Sequence, residues 1–165
     1  MKKKTLIIGV AIAALVGVLA LAGCSSSKAE PVTSIEAGGN VPTIDLSKQF
    51  KDAEYVEGAI SASQQDDDMI IRLKTESKDA PDIEVYRWAK DDNDGVTDLA
   101  EQAANEAAEY ESEAVQAKYL DTDFDCFYYE DIEKVTGKDV TVKNYVMEDG
   151  EDFVEVCLVF KSVLE

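Results

Sequence analysis

The chain contains no histidine. Triads and dyads built on an imidazole base are excluded, and so are zinc sites with a histidine ligand. Its chemistry must rest on carboxylates, and it has 35 Asp and Glu. The most suggestive spacing runs from Lys90 to Glu101. With Gly95 at the sixth position of an EF-hand loop, Asp92 falls at position 3, Asp94 at 5, the Val96 carbonyl at 7, Asp98 at 9 and Glu101 at 12. Those are oxygen donors of the kind calcium takes. Lys90 occupies position 1, where an Asp belongs, and the preceding segment reads as a strand rather than a helix. The plainer reading of this 92–101 loop is an acidic turn capping a helix. Asp123/Asp125 and Glu130/Asp131/Glu133 are a second set, the kind of paired acids a glycoside hydrolase uses. No G-x-S-x-G elbow and no Gly-rich phosphate loop accompanies them. Tyr86 and Trp88 alternate with Val85 and Arg87, so the two pairs point to opposite faces of one strand. The aromatic pair is core if both faces are covered, and a patch able to grip a ligand or partner if one is open.

The elements that must hold these residues follow from periodicity. Leu46, Phe50 and Ala53 sit at helical spacing, with Asp45 or Ser47 as a cap. Tyr55–Ala62, Met69–Thr75 and Ile83–Ala89 read as strands, the second with Met69, Ile71 and Leu73 on one side. The clearest helix spans Val96 to Tyr110, extending as far as Ala117, with Ala-rich positions on one face and Asp94 or Thr97 as its cap. Asp123–Asp131, Lys138–Glu148 and Asp152–Leu164 follow as three strands, joined by turns at Gly137 and Gly150. The expected fold is α+β: an antiparallel sheet with one main helix on one face and a C-terminal three-strand meander. In a meander the strands of Cys126 and Cys157 flank a central one, two strand spacings of about 4.8 Å apart, too far for a disulfide.

The first 24 residues say where such a domain works. Lys2, Lys3 and Lys4 precede an uncharged apolar run from Leu6 to Ala22, which ends in small residues before Cys24. This is the order of a secretory leader. Leu21-Ala22-Gly23-Cys24 resembles the lipobox of bacterial lipoproteins. That resemblance implies removal of residues 1–23, diacylation of Cys24, and attachment to the extracytoplasmic face of a cell membrane, in a Gram-positive setting. Two acyl chains suffice for stable anchoring. Residues 24–42 are rich in Ser, Gly, Pro and Ala and read as a flexible tether, leaving 43–165 as a single acidic domain. Removal of the leader takes three basic residues and no acid, so the remainder carries a net charge of −22. Phosphates repel such a polyanion, so nucleic acid is not an expected partner.

Three segments carry a further resemblance. They are Ile83-Glu84-Val85-Tyr86-Arg87-Trp88, Asp125-Cys126-Phe127-Tyr128-Tyr129, and the run from Tyr145 to Val156 around its acidic-Gly turn. Their order resembles the PsbP-like α/β sandwich of small exported bacterial lipoproteins. The likeness implies a binding or assembly module without a shared catalytic set. The expected function is a non-enzymatic interaction module for an envelope protein or polymer, with no obligatory cofactor. A calcium-dependent module using the 92–101 loop and a carboxylate-based hydrolase are the alternatives.

Overall fold

The computed structural model describes residues 29–92 and 95–164. Cys24, the leader and Asp94 lie outside the described residues. A seven-stranded antiparallel sheet dominates. Its strands are β3 (Tyr55–Glu57), β4 (Met69–Thr75), β5 (Asp82–Ala89), β6 (Val115–Lys118), β7 (Asp125–Val135), β8 (Lys138–Asp149) and β9 (Asp152–Val159), in the order β3-β4-β5-β9-β8-β7-β6. Two meanders, β3-β4-β5 and β6-β7-β8-β9, meet where β9 pairs with β5 in mid-sheet. The expected α+β class and antiparallel sheet are both present. The C-terminal meander has four strands rather than three, because Val115–Lys118 forms an edge strand where helix was expected.

The chain crosses from β5 to the far edge over one face, and that crossing contains helix α3 (Leu99–Glu109). Asp98 rather than Asp94 or Thr97 caps it, accepting from the Glu101 amide at 3.0 Å. Its end comes well before Ala117. Ser112 N–H donates to the Ala107 carbonyl and Glu111 N–H to that of Ala108, with Glu111 in the left-handed region at φ 57°. This is a Schellman ending with a glutamate where glycine is usual. Lacking Gly or Pro, it sends no stop signal in the sequence.

The opposite face holds the main core, including Ile83, Val85, Met147, Val154, Val156 and Leu158. It is covered by a strap whose first part, up to residue 42, was expected to be free tether. In the strap, β1 (Ser34–Ile35) pairs with β2 (Ile44–Asp45), which leads into the short helix α1 (Leu46–Gln49). Ile35, Ala37 and Val41 are buried with the core, and Val32 bridges to Tyr55. The folded part therefore begins near Val32 rather than at residue 43. Ile35, Ala37 and Val41 are unevenly spaced and show no periodicity in the sequence, yet each stabilises the fold by about 25 cal/mol per Å² of apolar surface it buries.

Arg87 locks the strap down. It donates to Asp149 at 2.6 Å, to Asp152 at 2.8 Å and to the Ala37 carbonyl at 3.3 Å, while Asn40 donates to Asp149 from its amide (2.9 Å) and its side chain (3.1 Å). Gly39 is required there: its φ is +61°, and a Cβ would lie 1.6 Å from Asp149 Oδ2.

Two smaller differences arise in the first meander. β3 is only three residues long, and Ala62–Asp66 form a short helix (α2) with a Ser61–Gln64 capping box. A bulge between Met69 and Ile71 puts Met69 opposite Tyr86 and Ile71 opposite Val85. Strict alternation from Met69 to Leu73 fails because a bulge inserts one residue into the strand. Cys126 and Cys157 lie on strands either side of β8 and are free thiols. Among the described residues no helix is long and apolar enough to cross a membrane.

Candidate functional site

A helix is about 10 Å across and strands are about 4.8 Å apart, so one helix covers about two strands. On the helix-bearing face α3 sits over β7 and β8, where Ala103 and Ala107 pack on Tyr129 and Val146. The small alanines bring it close to the sheet. The rest of that face stays open as a trough of about 700 Å³.

Pairing across the sheet fixes what points into it. Glu155 of β9 stands between Tyr86 of β5 and Val146 of β8, and Cys157 stands between Glu84 and Asn144. Trp88 faces Phe153, with ring centroids 6.0 Å apart. Tyr129 and Glu133 complete the floor from β7. Glu106, Glu109 and Tyr110 form the wall at α3, and Asp67 and Asp68 form the other wall before β4. Tyr110 stacks on Tyr129 at 6.2 Å. Among the described residues that line the trough, none is basic.

The electrostatics are those of crowded, partly dehydrated acids. Glu155 is 8% exposed and accepts from the Tyr129 hydroxyl at 2.8 Å. Burial, reinforced by the charge of Glu106, pushes its carboxyl up to about 8. Burial also raises Glu106, with Glu109 adding to it, and raises Glu133, with Asp131 adding to it. Asp131 is raised by burial too. One of its oxygens, Oδ2, accepts from Asn144 at 2.8 Å, while the other, Oδ1, is buried without a hydrogen-bond partner. Burial holds the Tyr86 and Tyr129 hydroxyls far above their ordinary values, so both remain donors. Tyr86 donates to Glu84 at 3.0 Å.

The residues singled out in the sequence scatter. Tyr86 and Trp88 are half-buried and both line the trough, while Val85 points into the core behind them. In the 92–101 loop, Asp98 and Glu101 are joined through the helix cap, and Val96 is half-buried nearby. Lys90, at the first loop position, is buried; its amine bonds to Glu148 and, at 2.8 Å, to the Gly150 carbonyl. Among the described residues no three Cys, Asp or Glu side chains converge as a metal cage.

The two acid sets expected to work together do not meet. Asp125 pairs with Lys118 at 2.6 Å, and that amine also bonds to the Asp123 carbonyl. Asp131 lies six residues along β7 from Asp125, about 20 Å away. That exceeds the roughly 5–9.5 Å spacing of glycosidase acids. Glu130 faces the other side of the sheet. Glu84, Glu106, Tyr110, Tyr129 and Glu155 were missed as site residues. A signal existed for one of them: Glu155 is the single charge in Phe153-Val154-Glu155-Val156-Cys157-Leu158. Comparisons with protein-family models, with curated proteins and with solved structures gave no match.

Proposed function

We propose that this chain is a lipid-anchored extracytoplasmic protein, held by acylated Cys24, whose PsbP-like domain is a non-enzymatic binding module. Its trough receives a cationic group presented by an envelope protein or polymer. The observation that supports this is the make-up of the trough: aromatic rings and carboxylates from both sides of the sheet centre, and no basic lining residue among the described residues. Carboxylates attract a cation over distance, and aromatic faces hold one at contact.

Trp88 is the only tryptophan and lines the trough, so its fluorescence reports occupancy. Titration of the mature domain with N-acetylated tetralysine at low salt should give a saturable change that 0.5 M salt weakens. Tetraglutamate and calcium at the same concentration should give none. A flat tetralysine titration, confirmed by calorimetry, overturns the binding reading. The anchor is tested separately. Labelled palmitate should enter the wild-type chain and not Cys24→Ala, and an intact leader on the native protein overturns the anchor.

A further inference from the structure

We propose that a cation entering the trough is exchanged for a proton carried by Glu155, so that the site loads as pH rises through neutrality and empties on acidification. This rests on the trough being the binding site. Glu155 lies mid-floor, and the titratable groups facing it are all acidic or phenolic, apart from the neighbouring Cys157 thiol on its own strand. They are Glu106 from α3, Tyr110 just beyond it, Tyr129, Asp131 and Glu133 from β7, and Glu84 and Tyr86 from β5; Glu84 is itself matched by Arg72 of β4 at 3.3 Å, on its side away from β9. The facing residues of β8, Asn144 and Val146, do not titrate. With no basic group among the described lining residues, Glu155 keeps its proton in the empty trough.

A second observation points to the incoming group. Asp131 is 5% exposed, and its unpartnered Oδ1 is on the trough side of the sheet, in register with Val142 and, beyond it, Val159. Both valines line the trough. A buried carboxyl oxygen without a partner calls for a donor. An alkylammonium group supplies three N–H donors, and its charge stabilises carboxylates. On its arrival the Glu155 O–H bond breaks, the proton leaves to solvent through the open trough, and the carboxylate pairs with the ammonium. No bond of the ligand changes.

The experiment is calorimetric titration of the mature domain with N-acetylated tetralysine at pH 7, in two buffers of different ionisation heat. Acetylation removes the one ligand amine that titrates near this pH. The observed heats should differ by the release of about one proton per ligand, and Kd should tighten about tenfold per pH unit near neutrality. Glu155→Gln mimics the protonated carboxyl, and should bind with equal heats in both buffers and a flattened pH profile. Equal heats for the wild type, a Kd constant from pH 6 to 8.5, or an undiminished proton release in E155Q overturns the exchange while leaving the binding site standing. Absence of tetralysine binding at every pH removes both.

Discussion

Arg87 and Glu155 stand on neighbouring strands and show two ways in which a charged side chain is tolerated inside a protein. Arg87 is fully matched, bonded to Asp149, Asp152 and the strap carbonyl of Ala37. Burial would raise the Asp149 carboxyl, but the Asn40 amide and Arg87 hold it below the ordinary carboxylate range. Glu155 has no cation beside it among the described residues and answers burial by keeping its proton. Removing one member of the matched set leaves the other charged and buried, which costs far more than the pair is worth. Arg87→Ala should therefore lower stability by about 2–4 kcal/mol in urea unfolding. A loss under 0.5 kcal/mol would mean that the strap is held by its apolar residues alone.

At the scale of the element, α3 decides what is covered and what is open. Its left-handed residue, Glu111, makes the Schellman ending at a conformational cost of about 1 kcal/mol relative to glycine. Glu111→Gly should raise stability by about 0.5–1 kcal/mol, read as a higher urea midpoint at unchanged slope. An unchanged or lower midpoint would show that the turn is not strained. The same turn explains what the sequence conceals. Strands β4, β5, β7, β8 and β9 and the core of α3 were legible because apolar periodicity marks long, half-buried elements. The strap, the helix end at Glu111 and the edge strand Val115–Lys118 were not. They are short, and their conformation is imposed by what they pack or pair against.

At the scale of the whole molecule, two populations of carboxyl groups set opposite limits on stability. Unfolded carboxyls titrate near 4. Between about pH 4.5 and 8 the folded state retains the Glu155 proton that the unfolded chain gives up, so stability falls as pH rises. Asp82 is different. Burial raises it, yet Lys161 and Lys74 hold it below its ordinary value, as Arg87 and Asn40 do for Asp149. Their contribution is present above pH 4 and lost below it. Melting temperature should thus climb from pH 8.5 down to about 5 and drop below about 3.5, with E155Q flattening the upper limb. A melting temperature that rises with pH between 5.5 and 8.5 would contradict this. Of the site itself, Tyr86 and Trp88 were legible through alternation, and Asp131 and Glu133 as members of an acidic cluster. Glu106 and Glu155 come together from a helix and a strand 49 positions apart, a meeting created where α3 packs across β7 and β8 beside β9. The strap has one last consequence, for orientation. If lipid holds residue 24, only residues 25–31 separate it from Val32, where the strap joins the sheet. Seven residues span about 25 Å at most. So short a mooring would hold the edge strand β3 and the strap it enters within about 25 Å of the bilayer, and leave the acidic trough on the other face of the sheet from the strap.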